Sequence, residues 1–309
     1  MGARRPAHGF RRHFSQPMTF RVTHSLLAAT ACLLTACASP KICTREIPKT
    51  HAGAAALLAS SQRAHGASAF AKVRDVSVRY EGRWASIGPR FQPVLSDRGF
   101  RRGSEERVLF GPRVVAQEHI GPAGKKLVVR TPGKVTFGYN GSLSTDEETS
   151  RAAALVADAY TLFLLGPFYF DRPGVVLAPN GEAVVDKMLC DQVLAVLRPG
   201  FGFAKEDRVI LFIDRSTKQL RRVRMTLNGL GSTRGAEVDV TFRDFRSLGG
   251  VLWPTDFDER IRVPFDLHAH HWRMLGLEIN RGFRSTDLIL AGFKRRAAAA
   301  TAPLPVKLQ

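Results

Sequence analysis

The sequence predicts a mainly β protein: a curled antiparallel sheet, or unclosed β-barrel, of about eleven strands with two covering helices. Three observations carry this. Apolar and polar residues alternate with period two in many short runs after residue 72. Only two segments, 51–65 and roughly 145–165, have helical composition or spacing. The predicted sheet also has one apolar and one arginine-rich face. So long a sheet must curl or close, and its apolar face needs a cover, which the two helices supply.

The chain has 309 residues, 44% hydrophobic and 24% charged, which excludes collagen-like, mucin-like and disordered classes. Residues 25–36 (SLLAATACLLTA) form an uncharged apolar run. It is too short to span a membrane and fits a signal-peptide core. Leu34-Thr35-Ala36-Cys37 follows and resembles the lipobox of bacterial lipoproteins. Small residues there let the peptidase approach the backbone, and the Cys37 thiol is the group a lipid transferase alkylates. The resemblance implies a signal peptide over 1–36, lipidation at Cys37 and a membrane anchor. Ala38 and Ser39 stand where an aspartate would mark inner-membrane retention, which implies the periplasmic face of the outer membrane. Translation starts at Met1 or Met18. From Met1, Arg11-Arg12-His13-Phe14 resembles part of a twin-arginine signal.

The formal charge is +19; the leader holds five arginines and no acid, so the mature chain stays near +14. Such a balance suits nucleic acid, anionic lipid or acidic partners, or a solvated arginine face. Export removes nucleic acid from these. Residues 37–50 read as a tether, 51–293 as one domain and 294–309 as a disordered tail.

Alanine-rich 51–65 is a helix. Val76, Val78, Tyr80 and Trp84 then alternate with Asp75, Ser77, Arg79, Glu81 and Arg83 as a half-buried strand. Residues 88–104, rich in Gly, Pro and Arg, read as a loop. Strands follow near 106–118 and 125–131, then a turn at Thr131-Pro132-Gly133-Lys134. Val135, Phe137 and Tyr139 alternate in the next strand. Ser144 with Glu147, or Thr145 with Glu148, offers a capping box. It opens a helix whose stripe is Ala152, Leu155, Val156, Ala159, Leu162 and Phe163, ended by Gly166-Pro167. A meander is predicted after it, near 183–189, 192–198, 207–213, 219–228, 236–245, 250–262, 272–279 and 284–292, with a tight turn at 214–218.

This order of elements carries a resemblance. After the lipobox and first helix come Tyr80-Glu-Gly-Arg83, the hairpin ending Val135-Thr-Phe-Gly-Tyr139-Asn-Gly, Arg208-Val-Ile-Leu-Phe-Ile-Asp214, Leu220-Arg-Arg-Val223, Asp244-Phe245-Arg246 and Trp253-Pro254. Over residues 50–290 the chain resembles the outer-membrane lipoprotein-sorting (Lol carrier and receptor) superfamily. The resemblance implies an unclosed β-barrel capped by helices, with an apolar cavity for lipid acyl chains. It implies an amphiphilic lipid or acylated ligand, a monomer, no cofactor and no catalytic residues. Segments 88–104 and 264–273 depart from the pattern.

The apolar stripe Val76, Val78, Tyr80, Trp84, Phe137 and Tyr139 either fills a core or lines the cavity, with Leu155, Ala159 and Leu162 facing it from the helix. Polar tips on Tyr80, Tyr139 and Trp84 would meet a head group. Other chemistry is thinly represented. His268 and His270 would share a strand face as metal ligands do, with His119 or Asp266 as a third, or they are exposed or capping residues. Asp256, Asp258 and Glu259 stand beside Arg260 and Arg262 and read as a salt-bridged strand. Gly121-Pro-Ala-Gly124-Lys125-Lys126 lacks phosphate-loop spacing, and no Gly-x-Ser-x-Gly elbow is present. Cys43 and Cys190 could pair in an oxidising compartment. The function predicted is a lipid-anchored binding protein holding a lipid or acyl chain. The alternatives are an envelope interaction protein with a filled core and an enzyme assisted by a metal on His268 and His270.

Overall fold

The structure, a computed structural model, describes residues 42, 46, 49–86 and 88–291. They fall in one compact unit, Pro40–Gln309. The leader, Cys37, Cys43 and the tail at 294–309 lie outside the described residues, as does most of the tether.

Among the described residues there are fifteen strands: β1 (Asp75–Trp84), β2 (Gly103–Leu109), β3 (Val114–Gly121), β4 (Gly124–Thr131), β5 (Lys134–Tyr139), β6 (Ser142–Ser144), β7 (Val176–Val185), β8 (Met188–Leu197), β9 (Asp207–Asp214), β10 (Leu220–Thr226), β11 (Glu237–Arg243), β12 (Arg246–Leu248), β13 (Val251–Trp253), β14 (Asp256–Val263) and β15 (Leu267–Ile279). Thirteen form one antiparallel sheet in the order β6-β5-β4-β3-β2-β1-β15-β14-β11-β10-β9-β8-β7, and β12 and β13 make a separate hairpin. The first strand pairs with the last, Val76 opposite Ile279, which joins the two halves of the chain. Edge strands β6 and β7 do not pair with each other, so the curled sheet stays unclosed, as predicted.

Five helices accompany it: α1 (Ala52–Ala64), α2 (Ala67–Phe70), α3 (Gly88–Phe91), α4 (Pro93–Ser96) and α5 (Glu147–Leu165). The long ones are the two predicted. The span Glu147–Phe170 is long and apolar enough to cross a membrane, yet 83% of its apolar 18-residue window is buried inside the molecule. Leu155, Ala159, Leu162 and Phe163 of α5 are buried among strand residues Val76, Val78, Val193, Leu211 and Trp272 in one core. Its cap is Asp146, whose carboxylate accepts from Thr149 N at 2.7 Å. That replaces both predicted capping boxes, because the cap falls one residue after Thr145 and two after Ser144.

Several boundaries differ, each for a local reason. The strand predicted over 106–118 is a hairpin, β2 and β3, turning at Phe110–Arg113, where Arg113 adopts a φ of 54°. The segment 250–262 breaks at Pro254-Thr255 into β13 and β14. The turn expected between 189 and 192 falls at Asp186-Lys187, both left-handed. The loop at 88–104 contains α3 and α4, and within 264–273 the strand β15 begins at Leu267. The strand predicted over 284–292 is not one: a short 3-10 turn, Ser285–Asp287, stands there. Phe283 and Leu288 pack on Val114 and Ala116. Asp75 holds this segment, accepting from Arg281 N at 2.8 Å and Gly282 N at 3.0 Å. That cover buries Asp75 and Ser77, which the alternation assigns to solvent. Likewise Val185, Cys190, Leu194, Val196, Ile210 and Phe212 form an apolar layer on the face of β7–β9 opposite the main core. Cys190 is buried there, its thiol free among the described residues; Cys43, with which it could pair, lies outside them.

Candidate ligand-binding cleft

Register identifies the residues of the concave face. Val76, Val78 and Tyr80 of β1 stand opposite Val108, Glu106 and Ser104 of β2, which stand opposite Val115, Gln117 and His119 of β3. These in turn meet Arg130, Val128 and Lys126 of β4. One end of the concavity is therefore apolar and the other polar, a gradient that simple alternation does not reveal.

At the apolar end lies a cleft of about 550 Å³. Phe70, Ala71 and Val73 form one wall and Val108, Phe110 and Val115 of the β2–β3 hairpin the second. Thr161, Leu165 and Phe168 form the third. Phe70 stacks on Phe168 with centroids 4.0 Å apart and planes at 3°, and meets Phe110 edge-on at 5.5 Å. These aromatics are placed by the left-handed Gly66, which turns α1 into α2, and by Gly166-Pro167, which turns α5 into a 3-10 helix. Gln62 Nε2 donates to Pro167 O at 3.3 Å and ties the two turns.

The rim is charged. Arg113 is exposed, and Arg172 lies over the Tyr169 ring at 4.4 Å. Arg130 is held by Asp158 and by Gly202 O at 2.7 Å. Three arginines thus face two carboxylates, Asp158 and Asp171, around an apolar floor.

The nine residues proposed from sequence sit elsewhere. Val76, Val78, Phe137, Leu155, Ala159 and Leu162 are buried core, Tyr80 is 5% exposed, and Trp84 and Tyr139 are half-buried. None of the nine lines the cleft. Tyr139 donates to Asp97 at 3.0 Å, and Trp84 stacks on His270 at 4.1 Å. The two ring systems close the polar end. The lining residues Val108 and Val115 fell within one predicted strand. Phe110-Gly111-Pro112 was the turn signal that separates them.

The histidines are corrected as well. A bulge between Glu259 and Arg260 leaves Ala269 unpaired, so His268 and His270 face opposite sides. His268 pairs with Asp258 at 2.9 Å and His271 with Asp256 at 2.8 Å on the outer face, whereas His270 is buried within. Among the described residues no group of three His, Cys, Asp or Glu could hold a metal ion.

No family model and no curated protein matches the sequence. Solved structures do. The chain shares its fold with a LolA superfamily protein. That protein, from Nitrosomonas europaea, is 11% identical with a TM-score of 0.50, covering 77% of this chain and 98% of its own. A DUF1329 family protein from Desulfovibrio piger is 11% identical at a TM-score of 0.47, over 78% of this chain and 99% of its own. An outer membrane lipoprotein-sorting protein domain from Vibrio parahaemolyticus is 8% identical at 0.37, over 75% and 95%. The LolA superfamily fold agrees with the resemblance drawn from the sequence.

Proposed function

We propose that this protein is a non-enzymatic envelope lipoprotein that holds the acyl chain of a lipid or acylated ligand in the cleft. Cys37 would carry the anchor and place the domain at the periplasmic face of the outer membrane. The carrying observation is the cleft itself. Its volume of about 550 Å³ lies within the roughly 300–1,000 Å³ typical of small-molecule sites. Apolar side chains form three of its walls, and Arg113, Arg130, Arg172, Asp158 and Asp171 add charge to its lining. Each methylene moved from water to those apolar walls contributes about 0.8 kcal/mol, before the entropy of association is subtracted. The shared LolA-superfamily fold supports the same reading.

The filled-core alternative draws support from the middle of the sheet, where Phe242, Phe257, Trp272, Tyr160 and Phe163 pack ring against ring. Carriage in this chain is confined to one end. Native mass spectrometry of the full chain, extracted gently, tests the proposal. A non-covalent mass identified as an acylated molecule, separable from any covalent lipid by denaturation, is expected. A chain that carries none and ignores added fatty acid and lysophospholipid would favour the scaffold.

A further inference from the structure

The polar end of the concavity holds a second, smaller chamber of about 20 Å³, roughly the room one small atom needs. It lies beneath residues 88–102 and is independent of the apolar cleft. Its lining is rich in donors. Arg101 is 6% exposed and sits over the rings of Trp84 and Tyr160 at 5.0 and 5.1 Å. Among the described residues no carboxylate lies within ion-pair distance of its guanidinium, which donates from Nη1 to Leu95 O at 2.6 Å. Trp272 Nε1 and His270 Nε2 are buried and unpartnered. Trp272 is 1% exposed and His270 is 3% exposed. The Tyr160 hydroxyl lies 3.3 Å from His270 Nδ1. If it donates there, the proton of His270 sits on Nε2.

Glu106, a buried carboxylate beside the lining Ser104, accepts from Ser104 Oγ and Gln117 Nε2, both at 2.9 Å, and Glu259 Oε2 lies 4.0 Å from His270 Nδ1. Gln117 Oε1 is unpartnered, but Gln117 does not line the chamber. Two buried N–H groups left without acceptors would carry a large desolvation cost. A water could receive these donors but would have to place two protons of its own. A halide has none to place. Gly82 makes the room: a Cβ there would lie 2.5 Å from His270 Nε2 and 2.8 Å from Trp272 Cβ.

We propose that this chamber is a chloride site, in which Arg101 supplies the charge and Trp272 Nε1–H and His270 Nε2–H supply the hydrogen bonds. The surrounding titratable groups favour it. Burial pushes Glu259 up to about 7 and raises Glu106, and it keeps His119 and His270 neutral. Acidification through pH 7 protonates Glu259 and leaves the positive charge of Arg101 less compensated, so chloride affinity rises.

Crystals of the full chain transferred from chloride to bromide test this directly. The expected result is an anomalous bromide peak in the chamber, within hydrogen-bond distance of Trp272 Nε1 and His270 Nε2. Water density with no bromide signal would overturn the proposal. In solution, chloride and bromide should raise the unfolding temperature along a saturation curve, and sulfate at equal ionic strength should not. Trp272→Phe should weaken that dependence about tenfold, and Arg101→Gln should abolish it. Equal responses to all three salts, or an unchanged chloride response in Trp272→Phe, would also overturn it. Trp272→Phe carries the test if Arg101→Gln does not fold.

Discussion

Arg130 of β4 grips Asp158 of α5 through two parallel hydrogen bonds, Nε to Oδ1 at 3.1 Å and Nη2 to Oδ2 at 3.0 Å. Asp158 also accepts from Gly202 N at 2.7 Å. One carboxylate therefore joins the core helix, the sheet and the β8–β9 connection at the rim of the cleft. Asp158→Ala would strand a guanidinium that is only 11% exposed. The expected loss is about 3–5 kcal/mol, read from the urea midpoint. A loss under about 1 kcal/mol would mean that the pair does not hold the rim.

His65 predicts an acid-sensitive joint. Its Nε2 accepts from Leu220 N at 3.1 Å, so Nδ1 carries the proton and donates to Leu252 O at 3.0 Å. Burial lowers its pKa to about 4. The unfolded chain binds this proton near pH 6.5, the folded chain only near 4. Stability from neutral His65 is complete above pH 6.5 and falls by up to about 3 kcal/mol as pH drops toward 4. Glu259 and Asp207, pushed up to about 7 and about 6, act in the opposite sense over part of this range. The test is therefore the difference between wild type and His65→Gln across pH 4–7. A difference independent of pH would refute the assignment.

Gly66 sets the position of Phe70. Its φ is 90°, and a Cβ there would collide with Gly250 O. Gly66→Ala should cost more than about 1 kcal/mol and weaken amphiphile binding, because α2 can no longer hold Phe70 against Phe168. Normal binding in a stable Gly66→Ala protein would show that α2 is not a wall of the site.

Much of this architecture was legible in the sequence. Period-two runs located most strands, and the stripe from Ala152 to Phe163 located the core helix. The cleft was not legible, because alternation tells which residues point inward, not where a facing layer is missing. Val76 and Val108 point the same way, yet Val76 lies in closed core and Val108 lines open space. The polar end was hidden for the converse reason. Glu106, Gln117 and His119 are buried on the inner face, where a period-two reading expects apolar residues. Asp75 and Ser77 were misplaced because a late segment of chain covers them.

Ala71 offers a way to fill the cleft without disturbing the core, since it is exposed and lines the space. Ala71→Trp should leave the unfolding temperature nearly unchanged and reduce fatty-acid affinity at least about tenfold, the equivalent of roughly 1.4 kcal/mol. Unaltered affinity, measured by displacement of a fluorescent fatty acid, would place the ligand elsewhere.

The most direct measurement is photo-crosslinking with a fatty acid bearing a diazirine midway along its chain, followed by peptide mapping of the adducts. The account predicts labelling of Phe70, Val108, Phe110, Val115, Leu165 or Phe168, competed by unlabelled fatty acid and lost in Ala71→Trp. Competed labelling at Val76, Leu155 or Leu162 instead, or no competed labelling at all, would contradict it.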